Sequence, residues 1–297
     1  MVIDLNPQQR AAVTEINAPL LVLSGAGSGK TRVITEKIAH LITRHDVPAR
    51  RILALTFTNK AAKEMLTRAR DLLPAQSARG LKIGTFHQFG LNIIRKELKS
   101  LPLRAGFSIL DEADSRHLIT DILGAEDQDE NIDTQIIKNK ISHFKNNRRS
   151  PQEALSHALN DLDQRAALAY AKYQQRLKLY NAVDFDDLIY LPLWLLQNNY
   201  SIRQKWQSRI EYVLVDEYQD TNACQYELFR QLVEGKEKFT VVGDDDQSIY
   251  GWRGACPDNL HILHDDYPTL KIVKLEQNYR SFQRILKVAN AVIGNNP

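Results

Sequence analysis

The stretch LVLSGAGSGKT, residues 21–31, carries most of the fold prediction. Its apolar start predicts a buried β-strand, its centre is rich in glycine, and the helical pattern RVITEKIAHLI follows it. A phosphate-binding loop of the form Gly/Ala-x4-Gly-Lys-Thr requires this strand–loop–helix context. Ser24 occupies the first position of the motif, and we expect its small side chain to fit at the end of the strand.

The residue types of this loop suit phosphate binding. Gly25, Gly27 and Gly29 let the backbone curl so that successive N–H groups point at phosphate oxygens, and the following helix adds a partial positive charge. Lys30 can reach the β- and γ-phosphates, and the Thr31 hydroxyl can ligate Mg²⁺. A plain glycine turn is one alternative. A dinucleotide fingerprint is excluded, because its third glycine would have to replace the lysine.

A second motif, YVLVDEYQD (212–220), places two carboxylates at the end of an apolar run. Asp216 would hold Mg²⁺ through its hydration shell, and Glu217 would polarise the attacking water. An isolated Asp-Glu pair in this position is also typical of a helix N-cap. Together with the phosphate loop, the pair indicates nucleotide hydrolysis.

Short apolar runs recur along the chain, each followed by a polar or glycine-containing turn and then a helical pattern. They are LLVLSG (20–25), RILALTFTN (51–59), LKIGTFH (81–87), YVLVDE (212–217), FTVVGDDD (239–246) and LKIVKLEQN (270–278). Continuous apolar runs indicate strands buried on both faces, and their alternation with helices predicts an α/β fold with a parallel sheet.

Residues 88–200 follow a different pattern, polar and helical in period, with no convincing strand. We interpret this segment as a mostly helical domain inserted into the α/β domain. The aromatic residues here and at the return to the α/β domain lie at helical spacing, which predicts core positions rather than ligand contacts; they include Tyr170, Tyr173, Trp194 and Trp206.

Composition excludes several protein classes. Of the 297 residues, 43% are hydrophobic and 25% charged, as in ordinary soluble globular proteins. No apolar run approaches the roughly 20 residues of a membrane helix, and the N-terminus lacks the pattern of a secretory signal. Cys224 and Cys256 form neither a disulfide framework nor a zinc motif, which suits a reducing compartment. We therefore expect a cytoplasmic protein without membrane contact.

The net charge of +3 is too small to predict nucleic-acid binding, but its distribution is uneven. Residues 121–133 carry six acids and no Lys or Arg, whereas residues 134–150 carry five Lys or Arg and no acid. Such a run usually forms a solvated face. It becomes a candidate phosphate contact only if other features demand DNA or RNA.

Seven motifs in a fixed order resemble the superfamily-one DNA helicases of the Rep, UvrD and PcrA group. The motifs are LNPQQRAAV, SGAGSGKT, TFTNKAAKEM, GTFHQFG, VDEYQDTN, VGDDDQSIYGWRGA and LEQNYRS. The resemblance covers essentially the whole chain, including VDFDDLIYLP (183–192). It implies a RecA-like phosphate-loop NTPase domain that carries a helical insert, with ATP and Mg²⁺ as cofactors.

The resemblance also assigns roles at the nucleotide. Gln9 would recognise the adenine edge, Tyr279 would stack on the base, and Arg280 would reach the γ-phosphate as an arginine finger. Gln247 would sense the γ-phosphate, with Glu217 and Arg280 completing the catalytic set. The adjacent acids Asp244 to Asp246 predict a turn rather than a metal cluster. The phosphate-loop contacts implied are Ser24, Gly25, Ala26, Gly27, Ser28, Gly29, Lys30, Thr31 and Arg32.

The same resemblance implies a track for single-stranded DNA, built from aromatic and small polar residues at strand ends. Base stacking suits a motor, because every base has a π-face. The stacking candidates are Phe57, Phe86, His87, Tyr250 and Trp252. The phosphate candidates are Asn59, Thr85 and Arg253. Any one of these aromatics alone would more often be a core residue.

The expected domain organisation follows from the motif order. Residues 1–87 and 201–278 would form the RecA-like domain, 88–200 the helical insert, and 279–297 the start of a second RecA-like domain. The family's later motifs are absent, so we expect this chain alone to lack strand separation.

Three functions remain open at this point. The first is that the chain is the N-terminal part of an ATP-driven DNA helicase, which the resemblance implies moves 3′ to 5′ and acts in replication or repair. Its substrates would be single-stranded and tailed duplex DNA, and its partners replication or repair proteins. Alternatively it is an ATP- and DNA-binding module without turnover, or another phosphate-loop enzyme such as a small-molecule kinase. The kinase alternative leaves IYGWRGA and TFHQFG unexplained.

Overall fold

The computed structural model describes residues 5–124, 133–248, 251 and 259–294. The chain divides into two compact units, which we call the sheet unit and the helical unit. The sheet unit comprises Met1–Thr85, Lys205–Thr221 and Leu232–Pro297. The helical unit comprises Phe86–Gln204 and Asn222–Gln231, so it extends beyond the predicted insert at both ends and includes a segment assigned above to the α/β domain.

A six-stranded sheet forms the centre of the sheet unit. Its strands, numbered in chain order together with two short strands of the helical unit, are β1 (Leu20–Ser24), β2 (Ile52–Thr56), β3 (Lys82–Thr85), β6 (Tyr212–Val215), β7 (Phe239–Gly243) and β8 (Lys271–Leu275). Each strand lies inside one of the six apolar segments named above. Side chains of β2, β6 and β7 are buried along their whole length, as expected for strands covered on both faces.

The strand order is β3-β2-β6-β7-β1-β8, and every neighbouring pair is parallel. The predicted α/β fold with a parallel sheet is therefore confirmed. In a parallel sheet all carboxyl ends lie at one edge, where ligands bind in open α/β folds. Here that edge gathers the loops that follow β1, β6, β7 and β8, which contain most of the predicted nucleotide contacts.

Five helices of the described residues belong to the sheet unit. They are α1 (Pro7–Thr14), α2 (Lys30–Arg44), α3 (Asn59–Asp71), α12 (Asn259–Asp266) and α13 (Gln283–Ile293). Asn6 begins α1 with a capping box, and Thr58 caps α3, which explains where these helices start. Val22, Ile34, Ile52 and Leu214 meet in a fully buried core between the sheet and its helices.

The helical unit is built mainly from helices, two of which cross into the sheet unit at their ends. The helices are α4 (Phe86–Lys96), α5 (Glu112–Gly124), α6 (Thr134–Asn146), α7 (Pro151–Ser156), α8 (Asp161–Leu179), α9 (Asp187–Asn198), α10 (Tyr200–Arg209) and α11 (Ala223–Val233). The strands are β4 (Ser108–Ile109) and β5 (Ala182–Val183), which pair in parallel. The expectation of no strand in this segment was therefore wrong, because two-residue strands are too short to produce a periodic signal.

The core of the helical unit confirms the aromatic prediction with one exception. Tyr170 and Tyr173 on α8 are buried in a cluster with Ile137 and Ile119. Trp206 on α10 is also buried, but it belongs to the sheet unit. Trp194 was predicted to be a core residue, but it is 42% exposed. Its neighbours on both sides along α9 are buried, so Trp194 lies on the helix face turned away from the core.

Two helices of this unit approach each other closely at Gly90. A Cβ atom at this position of α4 would lie 1.8 Å from the carbonyl oxygen of Leu188 on α9. Pro192 lies four residues after Leu188 and has no N–H to donate to that carbonyl. A glycine is therefore required where α4 crosses the break in the α9 hydrogen-bond ladder.

Within the described residues, no helix has both the length and the apolar character needed to cross a membrane.

Candidate functional site

The loop of residues 24–31 connects β1 to α2 at the carboxyl edge of the sheet. Gly27 and Gly29 have φ values of 76° and 95°, a left-handed conformation that glycine adopts at low cost. The hydroxyls of Ser24 and Ser28 lie 2.5 Å apart, and Ser28 Oγ donates to the carbonyl of Gly25 at 2.7 Å. The uncommon Ser24 is therefore hydrogen-bonded inside the loop, so its hydroxyl is buried without an energetic penalty.

A segment from the end of the chain lies against this loop. The backbone N–H of Tyr279 donates to the carbonyl of Gly27 at 2.8 Å, and the side-chain amide of Asn278 donates to the carbonyl of Ala26. A Cβ atom at Gly27 would lie 2.6 Å from Cβ of Arg280. The structure thus brings Tyr279 and Arg280 to the phosphate loop, where the sequence predicts them.

Gln9 contacts the loop from α1. Its Nε2 donates to the carbonyl of Ser28 at 3.0 Å, and its Oε1 accepts from the N–H of Asn6 at 3.2 Å. The Asn6 side chain in turn donates to the hydroxyl of Tyr279 at 2.8 Å. The two residues predicted to contact the base are therefore linked through Asn6, which the sequence analysis did not identify.

Lys30, the first residue of α2, has no counter-ion in hydrogen-bond geometry. It is 9% exposed, and its Nζ has no hydrogen-bond partner within the described part of the chain. The nearest carboxylate oxygens are Glu217 Oε2 at 3.4 Å and Asp244 Oδ2 at 4.0 Å. A buried ammonium without a hydrogen bond is costly, and a phosphate at the adjacent helix N-terminus would supply the missing acceptor.

Asp216 and Glu217 follow β6 at the same edge of the sheet. Burial and the neighbouring Glu217 raise the pKa of Asp216 to about 7, although Lys30 opposes this shift. Glu217 has a φ value of 51°, which is uncommon for a residue with a side chain and is typical of functional sites. The carboxylate of Glu217 is more exposed than that of Asp216, so it is the one accessible to a water molecule.

Thr31 and Asp216 are the predicted magnesium ligands, and their chemistry fits that ion. Asp216 is buried, and its carboxylate accepts one hydrogen bond among the described residues, from the N–H of Glu217 at 3.2 Å. No group of three or more His, Cys, Asp or Glu side chains in the described ranges could hold a metal by itself. Mg²⁺ commonly takes one or two carboxylates and completes its shell with phosphates and water, as this donor set would require.

The turn after β7 carries the predicted sensor Gln247. Residues Asp245–Gln247 form a single 3₁₀ turn, as predicted for this acidic segment. The side-chain amide of Gln247 donates to Asp244, whose carboxylate is the one 4.0 Å from Lys30. Gln247 is therefore connected to the phosphate loop through a single intervening side chain.

The predicted DNA contacts divide between the two units, and three of them lie outside the described residues. Tyr250, Trp252 and Arg253 are those three. In the sheet unit, Phe57 is half-buried and Asn59 exposed after β2, whereas Thr85 is buried at the end of β3. All three follow or end strands at the carboxyl edge.

In the helical unit, Phe86 and His87 begin α4 with different environments. Phe86 is 1% exposed, so its ring packs inside the protein and presents no face on which a base could stack. The expected base contact at Phe86 is therefore corrected to a packing role. Burial lowers the pKa of His87 to about 4, so its ring is neutral near pH 7.

An exposed aromatic ring that the sequence analysis did not identify lies beside His87. The ring of Phe185 is 57% exposed, and its centroid is 4.4 Å from that of His87. Phe185 lies in the motif VDFDDLIYLP, but the sequence alone does not show that its ring is exposed. Gln219 and Asp220 of VDEYQD were also missed, although both lie within three residues of Glu217.

Most of the basic run at residues 134–150 is neutralised inside the helical unit. Lys138 pairs with Glu112 at 2.8 Å, Lys140 with Asp163 at 2.5 Å, and Arg148 with Glu227 at 3.6 Å. Lys145 is buried between two aspartates. These pairs favour a structural interpretation of the run over a phosphate-binding one.

Comparisons with known proteins show which family and relatives the chain is similar to. A family model described as the UvrD/REP helicase N-terminal domain matches residues 5–268. The ATP-dependent DNA helicase Rep of Escherichia coli K12 is 52% identical over 293 residues, which are 99% of this chain and 44% of that protein. The Rep helicase of Salmonella typhimurium LT2 is 51% identical over the same shares.

A second group of relatives carries a different name. The ATP-dependent DNA helicase PcrA of Leuconostoc citreum is 43% identical over 293 residues, which are 98% of this chain and 39% of that protein. The chain thus spans less than half the length of these relatives.

Proposed function

The chain belongs to the UvrD/REP helicase family, and on this basis we propose that the protein binds ATP and Mg²⁺ in the sheet unit and couples hydrolysis to 3′-to-5′ movement along single-stranded DNA. The observation that carries the proposal is the buried ammonium of Lys30, which has no hydrogen-bond partner in the described chain and lies 3.4 Å from Glu217 at the start of α2. Tailed duplex DNA is the proposed substrate, and the cytoplasm the proposed compartment.

Nucleotide binding follows from the loop. Its N–H groups and the N-terminus of α2 face the phosphates, and Lys30 exchanges its distant carboxylates for β- and γ-phosphate oxygens. Gln9 and Tyr279 would contact the base, and Arg32 would lie beside the phosphates. Thr31 and Asp216 would hold Mg²⁺, which when bound neutralises phosphate charge.

Hydrolysis requires a base, charge stabilisation and a sensor. Glu217 orients a water and accepts its proton as the water oxygen bonds to the γ-phosphorus and the bond to the ADP oxygen breaks. Lys30 and Arg280 stabilise the charge that develops on the phosphoryl oxygens. Gln247, already bonded to Asp244, would register the presence or loss of the γ-phosphate.

DNA binding rests on rings and small polar groups. Phe57, His87, Tyr250 and Trp252 would stack on bases, and Phe185 is added to this set because its ring is exposed beside His87. Asn59, Thr85 and Arg253 would contact phosphates. Stacking on neutral rings gives affinity without sequence preference, as a translocating enzyme needs.

The decisive experiment replaces Glu217 with Gln. The amide keeps the size of the side chain but cannot accept the proton of water, so we expect ATP binding to remain and single-stranded-DNA-stimulated hydrolysis to fall by at least ~100-fold. Isothermal titration and a phosphate-release assay measure the two quantities. Binding of ATP and DNA with no hydrolysis by the unchanged protein would instead favour a non-motor module.

Trp252→Ala tests the DNA contact. We expect single-stranded DNA binding to weaken by roughly 1–3 kcal/mol, equally for oligo-dT and mixed sequence. Fluorescence anisotropy at fixed salt measures it. Unchanged affinity with a lowered melting temperature would place Trp252 in the core instead.

A further inference from the structure

The side chain of Gln219 connects two of the loops at the nucleotide site. Its Nε2 donates to Oε2 of Glu217 at 2.9 Å, and its Oε1 accepts from the backbone N–H of Asp244 at 3.0 Å. Both ends of the amide are therefore bonded to protein. Gln219 is also 1% exposed, so its side chain is shielded from water. Buried amides held at both ends have a single orientation, because losing either bond leaves an unsatisfied polar group.

The surroundings of Gln219 confine it further. A Cβ atom at Gly243 would lie 3.0 Å from Oε1 of Gln219 and 3.4 Å from its backbone nitrogen. Glycine at the end of β7 thus leaves the room that the amide occupies. On the other side, Gln219 lies in the 3₁₀ turn Tyr218–Asp220, which begins directly after the left-handed residue Glu217.

These contacts form a closed ring of four residues, which are Lys30, Glu217, Gln219 and Asp244. Lys30 Nζ lies 3.4 Å from Glu217 Oε2, Gln219 joins Glu217 to Asp244, and the carboxylate of Asp244 lies 4.0 Å from Lys30 Nζ. Gln247 is attached to the ring by its hydrogen bond to Asp244. The base, the phosphate-binding lysine and the sensor segment are therefore joined through one amide.

The ring distinguishes the two oxygens of Glu217. Oε2 faces both Gln219 and Lys30, whereas Oε1 makes no hydrogen bond or ion pair with the residues that the structure describes. When Lys30 binds a phosphate instead of Glu217, the hydrogen bond from Gln219 still fixes the position of Oε2. Oε1 is then the oxygen left to orient water.

We propose that Gln219 is a positioning residue that fixes the carboxylate of Glu217 for hydrolysis and ties its orientation to the backbone of the sensor segment at Asp244. This inference rests on the proposed ATP hydrolysis. Displacement of Asp244 by the sensor would move the Gln219 amide and with it the base. Gln219 therefore affects turnover through Glu217 and makes no contact with the nucleotide itself.

The experiment is a double-mutant cycle between Gln219→Met and Glu217→Gln in the full-length protein. With Glu217 present, we expect Gln219→Met to lower kcat of DNA-stimulated ATP hydrolysis roughly 10–100-fold, a part of what a general base contributes, with KM changed less than about threefold. With Gln at position 217, the same change should have little further effect, because the group it positions is gone. Equal losses in both backgrounds would overturn the proposal.

Further variants separate positioning from general destabilisation. Gln219→Glu keeps an acceptor for Asp244 but places a carboxylate against Glu217, so kcat should fall even though the bond to Asp244 is kept. Gly243→Ala leaves Gln219 in the chain and pushes on its Oε1, and we expect a several-fold loss of kcat. Normal kcat in both would overturn the inference even if Gln219→Met fails to fold.

The matched control is Gln225→Met, which alters another buried glutamine whose side chain accepts from Asn222 instead. Its kcat should equal that of the unchanged protein. Failure of the proposed function gives a different result: either the unchanged protein binds ATP and DNA without hydrolysis, or Glu217→Gln hydrolyses ATP at the normal rate. Failure of this inference alone leaves Glu217 essential and Gln219 dispensable.

Discussion

Two buried lysines of this chain have opposite surroundings. Lys145 in the helical unit is fully buried, with Nζ 2.7 Å from Asp184 and 2.8 Å from Asp187. Lys30 in the sheet unit is nearly as buried, but its Nζ lies 3.4 Å from the closest carboxylate, without hydrogen-bond geometry. Removing Lys145 would leave two buried carboxylates unpaired, whereas Lys30 lacks a hydrogen bond that a bound phosphate could supply.

The electrostatics of Lys145 show how complete its pairing is. Burial by itself would lower the pKa of Lys145, but Asp184 and Asp187 outweigh burial and raise it. Tyr173 adds its ring face, with the centroid 5.4 Å from Nζ. Lys145 is therefore charged, and both of its carboxylate partners lie within the helical unit.

Lys145→Met should have the largest effect on stability. The change leaves two buried carboxylates without their cation, so we expect the free energy of unfolding of the helical unit to fall by about 3–5 kcal/mol. Urea unfolding followed by circular dichroism measures it. Adding Asp184→Asn and Asp187→Asn should recover part of the loss, and a single-mutant loss below about 1 kcal/mol would contradict the comparison.

Lys30→Met, in contrast, should lower activity and leave the fold intact. We expect ATP hydrolysis to fall roughly 10²–10³-fold, as when a transition-state donor is removed. The free energy of unfolding should not fall, because the change removes a buried ammonium that has no hydrogen bond within the described part of the chain. Saturating ATP with Mg²⁺ should stabilise the unchanged sheet unit by about 2.7 kcal/mol at 100 times Kd, and this shift should vanish in the mutant and on chelation of Mg²⁺. Lys99→Met, at an exposed site, is the control; retained hydrolysis in Lys30→Met would contradict the loop assignment.

His87 is a third buried titratable side chain, and unlike the two lysines it is neutral because burial lowers its pKa. Its folded pKa of about 4 lies below the ordinary 6.5, so the unfolded chain binds the proton more readily. Stability is therefore complete above pH 6.5 and declines as the pH falls towards 4. His87→Gln should remove about 1–2 kcal/mol of this decline, a value reduced for the partial exposure of the ring. Unfolding between pH 4 and 7 measures it, and identical pH profiles would contradict the buried, neutral state.

Local patterns predicted the sheet well and the helical unit less well. Six apolar runs became six parallel strands, because continuous burial on both faces leaves a clear signal in sequence. The exposure of Trp194 and the pairing of β4 with β5 had no such signal, since each depends on which neighbours pack against a short segment. The basic run likewise could not be interpreted until its acidic partners, up to 79 residues away in the case of Arg148 and Glu227, were located.

By itself, the sequence determined the chemistry that the site can perform: a phosphate loop ending in Lys30 and Thr31, two acids after a strand, and the order of motifs that places the chain in its family. These features depend on residue type and on spacing within one turn or strand. Only the tertiary structure decided which groups are bonded and which are not. Lys30 and Lys145 are the same residue type, and Gln219 bridges Glu217 to Asp244 across loops that follow different strands. Such differences arise from long-range packing, which determines how deeply each polar atom is buried, which partners it has and whether its hydrogen bonds are complete.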